Sequence, residues 1–396
     1  MKKMKILSVN AGSSSLKFNV IELPERKELI SGYFQKVGLS DSFYTLKING
    51  EKLTKEKSLN NHLDCVETLK DELFENNIIE SLDEIDGVGH RLVHGADKFK
   101  ESVFITEEVL KECEKFNDLA PLHNPAMLSC VRAFMEAMPE TPMVAVFDTA
   151  FHQTMEPTEY IYPVPYEWYT KYGVRKYGFH GTSHRYIAKT TSELLNNDNL
   201  KIISCHIGSG ASICAINAGK VVDTSMGFSP LAGLMMGTRV GDFDASIIPF
   251  IMEKENKTVE EVFNDLNKNS GFLGVSGVSS DSRDIEEGIK NGNERCKLAQ
   301  DMFCQRVANY IAMYNNILDG ADVIVFTAGL GENSIDTRIN IAGRIKSLGV
   351  TIDLEKNNVR GKTTLISGED SKIPMYVIPT DEELMIALDT MEIITK

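Results

Sequence analysis

The feature that most constrains this chain is a strand–turn–strand pattern that occurs twice, 196 positions apart. Lys5-Ile-Leu-Ser runs into Asn10-Ala-Gly-Ser-Ser-Ser, and Lys201-Ile-Ile-Ser runs into His206-Ile-Gly-Ser-Gly-Ala-Ser212. Lys5 aligns with Lys201, Ile6 with Ile202, Ser8 with Ser204, Gly12 with Gly208 and Ser13 with Ser209. An offset close to half of the 396 residues reads as an internal duplication, giving two related domains instead of one oversized core. Helix and strand patterns alternate along the rest of the chain, which predicts an α/β architecture.

Local signals agree with that plan. Leu16, Phe18 and Val20 alternate with Lys17 and Asn19, the period of a half-buried strand. Asn49-Gly50 within Tyr44–Leu53 predicts a type I′ hairpin. Thr106 is placed to cap a helix with Glu107 and Glu108 in its first turn, and Asn124-Pro125 opens another. Met143–Phe147 reads as a buried strand that delivers Asp148 at its end. A long helix over Leu298–Leu318 stops at Gly320, and a buried strand over Val323–Phe326 leads into a third Gly-rich turn. Thr380-Asp-Glu-Glu383 predicts a capping box for a terminal helix. No linker separates the halves, so the hinge is short and a cleft between the domains is the expected ligand site.

Composition limits the partners. Lys+Arg 42 against Asp+Glu 57 gives a formal charge of −15, which argues against nucleic acid and anionic membranes. An anionic substrate must then be met by a local cluster of cations. Seven scattered cysteines without a C-x-x-C pair fit a reducing compartment and oppose a disulfide framework or a zinc ribbon. The apolar run Ile6–Val9 is too short for a signal-peptide core, and no stretch approaches the ~18 apolar residues of a membrane span. A cytosolic protein is expected.

The three small-residue turns are the chemical candidates. Asn10–Lys17 and His206–Ser212 offer backbone N–H groups and hydroxyls to phosphate oxygens, and two such hairpins in related positions suggest phosphates gripped from both sides. Neither is a P-loop, because G-x-x-x-x-G-K-[ST] is absent. Thr327-Ala-Gly329-Leu-Gly331-Glu-Asn333 lacks the third glycine of a dinucleotide fingerprint but lets a flat purine lie against the backbone. All the histidines except His62 fall between positions 90 and 206. The i, i+4 pairs His90/His94 and His180/His184 lack the Glu of H-E-x-x-H, and Gly181 argues against a continuous helix at the second, so anion contact or structural hydrogen bonding is favoured over zinc. Arg91, Arg239 and Arg283 sit among glycine and aspartate, where a planar guanidinium can bind carboxylate or phosphate bidentately.

In combination, His90-Arg-Leu-Val-His-Gly, Phe147-Asp-Thr-Ala-Phe-His152, Tyr177-Gly-Phe-His-Gly-Thr-Ser-His184, Asp223-Thr-Ser-Met-Gly-Phe-Ser-Pro230 and Met236-Gly-Thr-Arg-Val-Gly-Asp242 resemble the acetate kinase family. The resemblance runs from Asn10 to Glu382. It implies two duplicated actin/Hsp70/sugar-kinase-like (ribonuclease H-like) domains: 1–149 completed by a C-terminal helix 383–396, and a nucleotide-binding and dimerisation domain 150–382. It also implies reversible phosphoryl transfer from ATP to acetate in a homodimer, with Mg²⁺, for which Mn²⁺ can substitute. By the same resemblance Asn10 and Glu382 are the metal-site residues and Lys17 a phosphate contact. His206, Ile207, Gly208, Ser209, Gly210, Asp281, Ser282, Arg283, Gly329, Leu330, Gly331, Glu332 and Asn333 match the nucleotide-binding segments. Arg91 matches the acetate carboxylate contact, in a pocket lined by Val93, Leu122, Phe179 and Pro230. His180 and Arg239 match transition-state stabilisers, and Asp148 the catalytic acid/base.

A general base is hard to justify physically, since a carboxylic acid of pKa ~4.3 is already ionised at neutral pH; Asp148 is expected to orient Arg91 or metal-bound water. The family usually has Asn where Ser209 stands and Gly where Ala328 stands, which leaves pyrophosphate open as an alternative donor. Propionate remains open as an alternative acceptor. An actin- or Hsp70-like ATPase module would share both hairpins but would have no use for Arg91, His180 and Arg239.

Overall fold

The computed structural model describes residues 2–121 and 123–396 and divides into two compact units, Met1–Phe151 with Asp381–Lys396, and His152–Thr380. In the first unit the described residues form an eight-stranded sheet from β1 (Met4–Gly12), β2 (Ser15–Leu23), β3 (Lys27–Gln35), β4 (Phe43–Ile48), β5 (Glu51–Glu56), β6 (Ile85–Leu92), β7 (Val103–Phe104) and β8 (Met143–Phe147). Its order is β5-β4-β3-β2-β1-β6-β8-β7. The second unit carries β9 (Lys201–Ile207), β10 (Ala211–Asn217), β11 (Lys220–Thr224), β12 (Val323–Thr327), β13 (Thr364–Leu365) and β14 (Met375–Val377), in the order β11-β10-β9-β12-β14-β13.

The duplication is plain in this topology. β3-β2-β1 and β11-β10-β9 are antiparallel meanders. Each continues through two parallel strands, β6 and β8 in one case and β12 and β14 in the other. The predicted hairpins are present, and Asn49 and Gly50 both take the positive φ that a type I′ turn requires. Thr106 caps its helix by accepting from the Val109 N–H.

The alternation along β6 decides what faces what. Gly87 and Gly89 lie under the C-terminal helix Glu382–Thr395, where a Cβ on Gly89 would come within 2.2 Å of Thr390 Oγ1. With a period of two, Arg91 shares the side of these glycines, whereas His90 turns to the opposite side and meets Phe134 of the helix Asn124–Ala137 edge-on at 5.1 Å.

One cap differs from expectation. The terminal helix is capped by Asp381, whose carboxylate accepts from the Leu384 N–H at 2.9 Å, and not by Thr380. The Thr380 hydroxyl is held by Ser183 Oγ instead, and its N–H donates to Glu332. All seven cysteines are free and buried. Among the described residues no helix is long and apolar enough to cross a membrane.

His90 makes the fold sensitive to acid. Its ring is buried, Nε2 has no partner among the described residues, and burial pushes its pKa down to about 3. The unfolded chain takes up a proton near pH 6.5 that the native chain refuses, so stability is complete above that pH and falls by about 1.4 kcal/mol per unit as pH drops toward 3. Burial pushes His94 and His184 the same way. His90→Leu is expected to remove about one proton from the pH dependence between 6.5 and 4, with little change at pH 8. Urea unfolding at a series of pH values measures this; an unchanged slope would refute it.

Candidate functional site

In the first unit three neighbouring strands bring the site together at their carboxyl ends, the usual location in parallel sheets. β1 supplies Asn10, β6 supplies Arg91 and the end of β8 supplies Asp148, whose N–H donates to the Leu92 carbonyl at 3.0 Å. Arg91 grips Asp148 bidentately, with Nε to Oδ1 at 3.0 Å and Nη2 to Oδ2 at 2.6 Å. Its Nη1 donates to Asn10 Oδ1 at 3.3 Å, and Glu382 Oε2 lies 4.0 Å from Nε. Of the five guanidinium N–H groups three are thereby used, and one each on Nη1 and Nη2 is left for a carboxylate.

Two carboxylates thus face one guanidinium. Burial pushes the Glu382 carboxyl up, Arg91 pulls it back, and Asp148 pushes it up further. Burial works against the Arg91 charge, but Asp148 and then Glu382 more than restore it. Lys17 is paired with Glu383, so its charge is partly spent. Val93 is buried just beyond β6; Leu122 lies outside the described residues.

The second unit repeats the arrangement with different chemistry. The turn after β9 closes on itself through Gly208 N–H to the Gly210 carbonyl at 3.1 Å. Beside it opens a cavity of about 400 Å³ whose wall includes Gly208, Ser209, Gly329, Leu330 and Asn333. Asp281, Ser282 and Arg283 form its other side, at the start of the helix Ser282–Lys290, which Asp281 caps. Arg283 also pairs with Asp281 and holds its carboxyl down at about 2, while the guanidinium itself stays 86% exposed.

Several nucleotide-segment residues lie behind this wall instead of in it. Ile207 is fully buried, and the Gly331 carbonyl accepts from Arg338. Glu332 is a latch: Oε1 accepts from the N–H groups of Ala328 and Thr380 at 2.8 and 3.0 Å, tying the ends of β12 and β14 together. The third turn is also tighter than a glycine loop, since Ala328–Asn333 winds into a short helix that begins with Ala328 at φ +64°. Phe272, Glu286 and Arg360 line the cavity without any local signal in the sequence.

His180 and Arg239 meet at Gly210. A Cβ built there would lie 3.5 Å from His180 Nε2 and 3.6 Å from Arg239 Nη1. His180 is the N-cap of the helix Gly181–Leu195 in the left-handed region, so Gly181 opens the helix and does not break one. Phe179, preceding it, is buried, and its carbonyl contacts His152 Nε2 at 2.9 Å. The His206 ring stacks on His180 at 4.2 Å. Arg239 Nη1 donates to the Pro230 carbonyl at 3.1 Å and approaches Met236 Sδ. No carboxylate pairs with Arg239 among the described residues, and burial lowers its pKa, as expected of a guanidinium dehydrated with no compensating charge.

A family model described as the Acetokinase family matches residues 5–388 of this chain. The chain belongs to the acetokinase family. It is 51% identical over 391 residues to an acetate kinase of Bacillus velezensis, covering 98% of this chain and 99% of that one. A crystal structure of Porphyromonas gingivalis acetate kinase superposes with a TM-score of 0.94 at 47% identity, over 98% and 99% of the two chains. A propionate kinase from Francisella tularensis superposes with a TM-score of 0.93 at 40% identity, with the same coverage.

Proposed function

We propose that this chain catalyses the reversible, Mg²⁺-dependent transfer of the γ-phosphoryl group of ATP to acetate, giving acetyl phosphate and ADP in one in-line step. Membership in the acetokinase family makes it a phosphotransferase whose acceptor is a carboxylate. The observation that carries the reading is the convergence on Gly210 of His180 and an Arg239 that no carboxylate neutralises among the described residues. Phosphoryl transfer spreads negative charge over three equatorial oxygens, so the protein's task is to position the reactants and supply cations. Arg239 and His180 meet those oxygens, and Gly208, Ser209, Gly329 and Asn333 hold the nucleotide. The carboxylate of acetate is assigned to the two remaining N–H groups of Arg91, and its methyl group to the buried Val93 beside it.

Asn10 and Glu382 would hold the metal. Both offer hard oxygen donors, and the surplus carboxylate around Arg91 favours a divalent cation. When bound, Mg²⁺ neutralises charge on the phosphates. The enzyme is proposed to act in the cytosol as a homodimer joined through the second unit, whose exposed Phe250 and Phe263 support an apolar contact there. Ultracentrifugation tests that.

Asp148 is assigned to positioning, because both of its oxygens are spent on Arg91. Asp148→Asn is expected to lower kcat/KM for acetate by about 10²-fold, the cost of a misplaced reactant. Recovery of that activity at higher pH would contradict the assignment. The Francisella structure favours propionate as a second reading, since one methylene in an apolar pocket is worth only ~1–3 kcal/mol. Trapping the acyl phosphate with hydroxylamine, using acetate, propionate or butyrate and ATP or pyrophosphate, decides both questions. No acyl phosphate with any pair would sink the proposal.

A further inference from the structure

The contacts behind His180 form a single polar chain. Ser212 Oγ lies 2.9 Å from His180 Nδ1 and 2.8 Å from His184 Nε2, and Ser204 Oγ lies 2.9 Å from His184 Nδ1. Ser204, Ser212 and His184 are fully buried, the serines on the adjacent strands β9 and β10 and His184 in the first turn of the helix Gly181–Leu195. A hydroxyl has one proton to give, and a neutral imidazole has one N–H and one bare nitrogen. The directions of these three hydrogen bonds are therefore locked to each other.

Only two arrangements satisfy every member. In one, Ser204 donates to His184 Nδ1, His184 Nε2–H donates to Ser212, and Ser212 donates to His180 Nδ1. A neutral His180 then carries its proton on Nε2, the nitrogen that converges with Arg239 on Gly210. In the reverse arrangement His180 donates from Nδ1, and a neutral ring turns a bare Nε2 lone pair toward the same place, where an anionic oxygen would be repelled. Escape by charging His180 would set a second cation beside the Arg239 guanidinium, at a Coulombic cost.

We infer that Ser212 and His184 are positioning residues that fix His180 as the Nε2–H tautomer, so that a neutral ring donates a hydrogen bond to the phosphoryl group. Burial holds the pKa of His184 well below 6.5, which keeps that ring neutral, with one donor and one acceptor nitrogen that couple Ser204 to Ser212. The inference rests on the proposed phosphoryl contact of His180, but its first test does not need the reaction.

The test is ¹⁵N NMR of histidine-labelled protein, with the His180 signals assigned from a His180→Gln sample. Wild-type His180 is expected to show a protonated Nε2 and a bare Nδ1, and the opposite pattern overturns the inference whether or not acyl phosphate is made. Ser212→Ala is expected to shift His180 toward the Nδ1–H form and lower kcat by about 10²-fold, with both KM values within about threefold of wild type. Ser212→Thr, which keeps the hydroxyl, is expected to restore kcat to within about threefold. Equal losses in the Ala and Thr variants, or a loss in Ala with the tautomer unchanged, would reduce Ser212 to packing. Should Ser212→Ala not fold, Ser204→Ala probes the far end of the same chain and is expected to produce the same tautomer shift; an unshifted His180 there overturns the inference.

Discussion

Replacing Arg239 with alanine is expected to lower kcat by about 10³-fold or more, the range for an arginine that stabilises a transferring phosphoryl group. The loss should appear equally in kcat and kcat/KM, because the interaction is made in the transition state. The same variant should melt no lower than the parent. Arg239 is dehydrated, its Nη1 reaches only the Pro230 carbonyl and Met236 Sδ, and no carboxylate compensates its charge among the described residues. Removing such a group relieves a burial cost, as is common where stability is traded for activity. Arg239→Lys keeps the charge and loses the planar fork, so it should recover only part of the rate. Steady-state kinetics and a thermal melt on the same preparation check both halves. A kcat within tenfold of wild type, or a large fall in Tm, would move Arg239 from catalysis to structure.

Much of this was legible in the sequence, for identifiable reasons. The 196-residue offset foretold two sheets with one strand order, because a hairpin and its parallel neighbours are local units whose patterns survive in each copy. Arg239 stood out because surface arginines seldom sit inside Gly-rich turns, and the structure puts it beside Gly210 with no carboxylate partner among the described residues. What escaped notice depends on distant register. Phe272, Glu286 and Arg360 reach the cavity of the second unit from separate elements. Glu332, in a segment matched to nucleotide, spends its carboxylate on Ala328 and Thr380, a choice visible only once β12 and β14 are adjacent. The histidine pairs were visible as i, i+4 spacings. Their meaning was not, since Ser204 and Ser212 come from the neighbouring strands β9 and β10.

The glycines that hold Arg239 in place yield the other large expected effect, Gly271→Ala. Gly271 opens the helix Gly271–Ser276 at φ +62°, and a Cβ there would stand 2.0 Å from the Met236 carbonyl oxygen and 2.9 Å from that of Arg239. The Arg239 turn is clamped at this spot: Phe272 and Leu273 donate to Met236 and Gly237, and Ser270 donates to Thr238. On its other side Gly237 N–H donates to the Ser209 carbonyl, so one bond links the arginine turn to the Gly208–Gly210 turn. A methyl group at Gly271 must push a backbone carbonyl away, and no flexible side chain is there to yield. The left-handed conformation alone costs about 1–2 kcal/mol. Displacing the carbonyl should bring the total to about 3–5 kcal/mol, in line with overpacking added to backbone strain. At ~2–4 °C per kcal/mol this lowers Tm by about 10 °C, and kcat should fall at temperatures where the protein stays folded, because Arg239 moves with its turn. Gly292→Ala is the control, since Gly292 has φ +78° but nothing within 4 Å of a Cβ. It should lose only the conformational part, about 1 kcal/mol, and keep full activity. If the two variants melt together and both remain active, the turn is held by something other than this close approach.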